Sequence, residues 1–478
     1  MTSISKNNLN KLSDYLWEIP LGFDPKMKVP ARIYSSESML EMLFQDRSLI
    51  QLINLTTLNG IYKYALALPD IHEGYGAPIG GVFASKIEED GIISPGAIGF
   101  DINCGVRLLG SNLLESEIKE KIPKLTKEIY KEVPSGVGTG GYLNLSFNDL
   151  DKILENGIDF MLENGLANNQ DKEFCESSGK LLADSKSVSQ KAKKRGKGQL
   201  GTIGAGNHFV EIQKVAEIFD EQLAKELNLF KNQVVIMIHC GSRGLGHQVA
   251  TDYISMMLKH LDDYQIKLID QQLACAPFNS SLGQNYFKAM NASANFAWAN
   301  RQLITMEIRK AWQNVFGKNQ ELSLVYDVAH NIGKIETYDN LKLLVHRKGA
   351  TRSFPKGSLE IPQKYQNIGQ PVLIPGSMGT SSYVLIGKEK AIQESFGSTC
   401  HGAGRTMSRT KAKKTIRGEN LKKELANKGI TVEAGSYSGL AEEAPSAYKN
   451  ISEVIEVVIE GGLAQKVVKL IPLGVIKG

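Results

Sequence analysis

The sequence predicts a mixed α/β fold built as one large interwoven unit over residues 1–478. Three observations carry this. Short β-branched runs recur, each ending in a Gly-rich or polar turn, as buried strands do when they deliver side chains to one rim. Two stretches place apolar residues at helical spacing. No internal repeat, low-complexity tract or Pro- or Ser-rich linker divides the chain.

In chain order, residues 115–133 (ESEIKEKIPKLTKEIYKEV) predict an amphipathic helix under a charged face. Residues 149–195 read as mostly helical and polar, a helical surface excursion within the unit. The run QVVIMIHCGSRGLGH at 233–247 reads as a buried strand followed by a glycine-rich turn. Over 284–316, Phe287, Met290, Ala294, Ala297, Ile304 and Ile308 form one helical stripe and predict a core-packed helix. Arg301 falls on that stripe, where a guanidinium is costly unless paired, so it is either salt-bridged or snorkelling, or else a phosphate or RNA contact. LSLVYDVAHN, LKLLVHRKGATR and QPVLIPGSMGTSSYVLIG then predict further buried strands.

The chain has 478 residues and 42% hydrophobic content, enough to bury a large core. No apolar run reaches the roughly 18 residues a membrane helix needs, and the N-terminus MTSISKNNLN is polar, so a soluble, cytoplasmic protein is expected. Five scattered cysteines argue for reduced thiols, some of them metal ligands, rather than for a disulfide framework. A net charge of +5 permits a polyanionic partner without demanding one.

There are only eight histidines, yet His208, His239, His330, His346 and His401 each sit in or beside a segment dense in Gly, Asn, Ser or Arg. Such turns are where a scaffold exposes functional groups. ISPGAIGFDINCGVRLL sets Asp101 and Cys104 three residues apart. On a flat strand they would face opposite ways, so a turn or helical hook must bring them together. Alone, the pair reads first as a buried thiol beside a turn-capping aspartate and only second as half of a metal site. With His208, His239 and His330 it becomes a mixed O, S and N set too rich for a four-ligand structural zinc site. The set suits two divalent ions sharing a bridging thiolate, an arrangement that clamps phosphoryl groups when the ions lie roughly 3.5–4 Å apart.

His401 differs in kind. It stands in STCHGAGRTMSR, before a small-residue loop whose amides can cradle phosphate beside Arg405. It reads as a covalent nucleophile toward phosphorus, or as a phosphate contact or general acid. Ser377 and Ser382 in IPGSMGTSS, and His346, Arg347, Lys348 and Arg352 in HRKGATR, add groups of the type that hold phosphates. The apolar C-terminal PLGVIKG predicts a docked tail, with Lys477 either solvated or placed in a site. The basic runs at 191–198 and 408–417 are solvated faces or a track for nucleic-acid backbone. His72, between Asp70 and Glu73, reads as a structural or RNA-positioning residue, with a ligand role as the other option.

The blocks FDINCGVR, GAGNHFVE, HCGSRGLGH, YDVAHN, HRKGATR, PGSMGTSSY, STCHGAGRTMSR and the terminal PLGVIKG resemble, in order, the signature blocks of RtcB-type RNA ligases. The resemblance runs from about residue 27 to the end. It implies an α/β fold of that family's own, with a central metal-binding cleft. It also implies a GTP- and manganese-dependent ligase joining RNA 2′,3′-cyclic phosphate or 3′-phosphate ends to 5′-hydroxyl ends, as in tRNA splicing and RNA repair, through a histidine–GMP intermediate. Carried over to this sequence, one manganese ion falls to Asp101, Cys104 and His208, the other to Cys104, His239 and His330, with Cys104 bridging. The guanylated residue falls on His401. Guanine-nucleotide contacts fall on Asn207, His208, Glu211, His330, Asn331, Pro375, Gly376, Ser377, Met378, Ser382, Gly402, Ala403, Gly404 and Lys477. Partners so implied are RNA ends such as tRNA halves, GTP and an archease-like activating protein, with no membrane. Two other readings of the residues remain: a dinuclear metal phosphoesterase acting on RNA ends, and a non-catalytic RNA-binding scaffold.

Overall fold

Two large sheets organise the described residues, sharing a buried core, and the backbone passes directly from one to the other at His330. The strand Ser323–Ala329 belongs to one sheet and Asn331–Tyr338 to the other, so the backbone passes between them at that point. This arrangement comes from a computed structural model describing residues 4–136, 140, 141, 143 and 145–478; the first three residues of the polar N-terminus lie outside the described residues.

The larger, eight-stranded sheet runs Ser323–Ala329, Gly105–Leu114, Gln233–Cys240, Phe209–Ile218, Ala464–Lys477, Ser382–Gly387, Pro371–Ile374, with Thr431–Ala434 added in parallel beside the end of Ala464–Lys477. Every residue of the central strand Gln233–Cys240 is buried, which is why its sequence is a continuous apolar run rather than an alternating one. The other sheet has seven strands, among them Ile61–His72, Ile79–Lys86 and Leu341–Lys348.

The helix expected over 284–316 spans Ser281–Phe316. Ser280 caps it, accepting from the Gly283 amide, and Gly317 (φ +98°) ends it. Met290, Ala294, Ala297, Ile304 and Ile308 are fully buried, while Phe287 packs at the margin. The helix is buried nearly all round, and its polar side chains grip the loops of the strand ends. Asn300 accepts from the amides of Gly201 and Thr202 and donates to the carbonyl of Gly241.

Arg301 is salt-bridged, as the first of its two readings has it. Its Nη2 lies 2.7 Å from Asp327 Oδ1, and its Nη1 donates to the carbonyls of Asn103 and Cys240, both at 2.8 Å. Arg107 shares the same carboxylate at 2.7 Å, and all three side chains are 0% exposed. Two guanidiniums on one buried carboxylate are tolerable because the remaining N–H groups find Gln302, Thr305 and backbone oxygens.

Residues 115–132 are helical in short pieces, the longest Ile122–Glu132. Within 149–195 lie Phe147–Asn156, Ile158–Glu163, Asn169–Glu173 and the basic Gln190–Lys197. Leu150, Ile153, Leu154, Ile158 and Met161 of this segment join the principal core. Among the described residues no helix is long and apolar enough to cross a membrane, and all five cysteines are free and buried.

Candidate dinuclear metal and nucleotide site

Strand register gathers the five candidate metal ligands. Gly105 pairs with both Cys240 and Ala329, while His239 pairs with Val106 on one side and Phe209 on the other. Cys104 just before the first strand, His208 just before Phe209, His239 at a strand end and His330 just past Ala329 must therefore converge at one end of the sheet. Asp101 reaches them through a turn closed by the Cys104 amide donating to the Asp101 carbonyl at 3.0 Å, with Asn103 at φ +52°. That turn is the hook the three-residue spacing requires.

The donor atoms form two groups sharing one thiol: Asp101, Cys104, His208 and Cys104, His239, His330, with the ligand atoms of each group within 4.8 Å of one another. Cys104 Sγ lies 3.4 Å from His208 Nε2 and 3.3 Å from His239 Nε2. Asp101 Oδ2 lies 2.7 Å from His208 Nε2.

Electrostatics separates the two groups. Burial and neighbouring cationic groups hold His239 and His330 well below the usual imidazole range, so both are neutral. Their Nε2 atoms nevertheless face each other at 3.2 Å. A cation shared with Cys104 is the group this pair of lone pairs fits. At His208, burial lowers basicity, but Cys240, Cys104 and Asp101 outweigh it and raise it well above the usual range. The Cys104 thiol is pushed up to about 12 by burial and by Asp101, so it becomes a thiolate only when a metal takes the place of its proton. These donors fit two divalent ions.

Next to them stands His401. The strand Ser398–Cys400 pairs with Ala350–Arg352 and carries His401 to within 4.8 Å of His330, ring centre to ring centre. Asp70, fully buried at the end of Ile61–His72, accepts from His401 Nδ1 at 2.5 Å and from the His401 amide at 2.9 Å, both on Oδ2. Facing the carboxylate, Nδ1 is the donor, and Nε2 is left without a hydrogen-bond partner among the described residues. Two glycines permit this packing. A Cβ on Gly349 (φ +61°) would meet Ile79 at 2.3 Å and His401 at 3.0 Å, and one on Gly404 (φ +74°) would meet the Asp70 carbonyl at 2.2 Å.

A cavity of about 350 Å³ opens over these groups. Asp101, Cys104, His239, His330 and His401 line it, with Asn207 and Asn331, Pro375 to Met378, Gly402 to Gly404, and Lys477. His208 lies behind Cys104, holding Cys240 Sγ at 3.7 Å on its Nδ1 side. Glu211 and Ser382 are off the lining: Gln213 Nε2 donates to both, and Ser382 Oγ accepts from the Gly376 amide at 3.1 Å. The C-terminal strand docks as the apolar tail predicts, and Lys477 Nζ donates to the Gly206 carbonyl at 2.9 Å.

The matching sequence profile is that of the family described as tRNA-splicing ligase RtcB, and it covers residues 51–478. The chain belongs to the RtcB family. Among proteins named tRNA-splicing ligase RtcB, that of Thermococcus kodakarensis is 49% identical over 98% of this chain and 99% of its own length. That of Archaeoglobus fulgidus is 50% identical over the same shares, and that of Nanoarchaeum equitans is also 50% identical over 98% of this chain and 99% of its own.

In this RtcB chain the phosphate-type groups of HRKGATR divide. His346 stacks on Phe83 at 4.2 Å, Arg347 is paired with Glu336 at 2.7 Å, and Arg352 faces Glu176 at 3.5 Å; all are interior. Only Lys348 reaches the cavity, its Nζ bound to the carbonyls of Tyr75, Ala77 and Gly96. Arg405 lines the cavity but is tied to Glu443 and Tyr448. His72 lines it too, with Nδ1 2.9 Å from the Asp70 carbonyl. Sequence reading gave Asp70 no role of its own; the signal was its place two residues before His72 in the same Gly-rich loop, but nothing local points it at a residue 331 positions away.

Proposed function

We propose that this protein is a GTP- and manganese-dependent RNA ligase that joins RNA 2′,3′-cyclic phosphate or 3′-phosphate ends to 5′-hydroxyl ends through a histidine–GMP intermediate on His401. That it is an RNA ligase follows from its family. The finer reading is carried by one observation: an imidazole with a free Nε2, aimed by a buried carboxylate, beside two donor sets that share a thiol.

Asp101, Cys104 and His208 would hold one divalent ion and Cys104, His239 and His330 another, and such a pair when bound would neutralise charge at phosphate oxygens and make a hydroxyl more acidic. Asp70 fixes the tautomer of His401 and stabilises the positive charge its ring gains on attack, much as the aspartate of a catalytic triad does for its histidine. His401 Nε2 attacks the α-phosphorus of GTP; the P–N bond forms and the P–O bond to pyrophosphate breaks. An oxygen of the RNA 3′-phosphate then takes the GMP from His401, breaking the P–N bond. Last, the 5′-hydroxyl oxygen attacks the activated RNA phosphorus, and GMP leaves with its bonding electrons. Water opens a cyclic phosphate before this sequence begins.

Guanine, rather than adenine, is favoured by the acceptors around Glu211, which stand just behind the Gly376 wall of the cavity. Glu211 Oε1 and Gln213 Oε1 are buried without a partner, and guanine offers N1–H and N2–H donors where adenine has no N1–H. Gly402, Ala403, Gly404 and Pro375 to Met378 are the proposed walls around the nucleotide, with Asn207 and Asn331 toward its phosphates. The physiological ends are tRNA halves or broken RNAs, the location cytoplasmic, and an archease-like protein the activator.

The test is to incubate the protein with a 3′-phosphate RNA and a 5′-hydroxyl RNA, with and without GTP and manganese. GTP-dependent joined product is expected. Removal of the 3′-phosphate without GTP and without joining would replace the ligase by a dinuclear phosphoesterase.

A further inference from the structure

Three aromatic rings at the mouth of the cleft take no part in the chemistry above. Tyr75 and Phe100 line the cavity and meet edge to face, ring centres 5.0 Å apart at 63°. His247 stacks on Phe100 at 4.8 Å and 25°. Tyr75 and Phe100 are only half-buried and His247 is exposed, so ring surface remains open to solvent beside the metal-facing carboxylate of Asp101, the residue after Phe100. Packing alone does not account for the place. Core aromatics such as Phe296 on the long helix and Tyr326 on the strand Ser323–Ala329 are 0% exposed.

The surroundings carry positive charge outward from the rings. His247 lies in the helix Arg243–Lys259, which packs on the basic helix Gln190–Lys197 through Gly196 against Leu245. Arg195 of that basic helix donates to Gln248 at 2.9 Å, and Lys191, Lys194 and Arg195 are exposed. A ring cluster between a phosphoryl-handling centre and a line of cations has the layout of single-strand binding sites, where cations follow the backbone and aromatic faces take the bases. Stacking reads a base by its π-face rather than its edge, which suits an enzyme that must accept ends of any sequence.

We propose that Tyr75, Phe100 and His247 form a stacking shelf for the terminal nucleobase of an RNA end bound on the Asp101 side of the cleft. The shelf rests on the ligase reading for the identity of its ligand, but it is a binding site testable without ligation. Both RNA ends present the same chemistry to it, an unpaired base beside a phosphate or hydroxyl, and labelling each end in turn separates them.

The experiment places 2-aminopurine, whose fluorescence is quenched by stacking, at the 3′-phosphate end of one RNA and at the 5′-hydroxyl end of another. Each is titrated with the full-length protein and manganese in the absence of GTP, and binding is followed in parallel by anisotropy. Quenching is expected at one of the two ends. Phe100→Leu, which keeps bulk but removes the π-face, should relieve it and weaken binding on the order of tenfold, and an abasic end should weaken binding to the unaltered protein, read by anisotropy, to a similar extent. Tyr75→Leu and His247→Leu should give smaller losses of the same kind. RNA that binds with no quenching at either end, or quenching unchanged in all three variants, overturns the shelf while leaving the ligase reading to its own joining assay. RNA that does not bind overturns it as well, and joined product in the parallel assay would then show that the ligase reading survives.

Discussion

Asp70 Oδ2 accepts two hydrogen bonds from the same residue, one from the His401 amide at 2.9 Å and one from its Nδ1 at 2.5 Å. One carboxylate oxygen thus sets both the backbone position and the tautomer of the imidazole, and the 0% exposure of Asp70 keeps water from competing. Asp70→Asn keeps the size and one acceptor but removes the charge that stabilises the ring after attack. We expect it to slow formation of the His401–nucleotide bond on the order of 100-fold, with the melting temperature shifted by only a few degrees. Labelling at the rate of the unaltered protein would remove Asp70 from the mechanism.

Cys104 is the one residue common to both donor groups. Cys104→Ala should therefore lose both ions rather than one, read as metal content after dialysis against manganese, and should not join RNA. Because its thiol stands near 12 without metal, loading at neutral pH must expel protons, which a pH indicator detects. A variant that still binds two ions contradicts the bridging role.

Glu211 supplies a pH dependence. Burial raises its carboxyl to about 7, against the opposing pull of Gln213 and Lys477. Below that pH the group is protonated and loses its full strength as an acceptor for guanine N1–H and N2–H; above it the carboxylate is present. GTP affinity should then fall as pH drops through 7, by as much as about tenfold per unit. Glu211→Gln should bind GTP weakly and flatten the profile. An unaltered protein whose GTP affinity is constant between pH 6 and 8 would exclude Glu211 from base recognition.

The Arg107–Asp327–Arg301 triad ties the candidate-site end of the sheet to the longest described helix, since Arg301 also holds the carbonyls of Asn103 and Cys240, each next to a proposed metal ligand. Asp327→Ala leaves two buried guanidiniums without their carboxylate and should cost about 3–5 kcal/mol of stability, read by denaturant unfolding. Arg301→Lys, which cannot reproduce the fork, should weaken manganese binding as well as lower stability. A Lys variant with unchanged metal affinity would confine the triad to folding.

How much of this was legible in the sequence depends on the range of the interaction. The continuous apolar run before His239 and the helical stripe from Met290 to Ile308 describe local geometry, and both elements form where the patterns place them. The candidate ligand residues stand out because each has glycine or asparagine within two residues and, Asp101 aside, lies at or next to a strand end, and adjacent strand ends converge. Arg347 and Arg352 illustrate what local pattern cannot supply: their position in HRKGATR looks like a phosphate loop, but Glu336 and Glu176, brought in by sheet pairing and a distant helix, draw them inside. The partnership of Asp70 and His401 is hidden for the same reason, since it arises only when the short strand pair leading into His401 packs against the end of Ile61–His72.

His401 is the proposed covalent carrier of the nucleotide. The most direct measurement is to incubate the protein with α-labelled GTP and manganese, beside His401→Ala, and to look for acid-labile label on the chain. Label on the unaltered protein and none on the variant is the predicted result. Equal label on both, or no label on either while RNA ends are still joined, would contradict it.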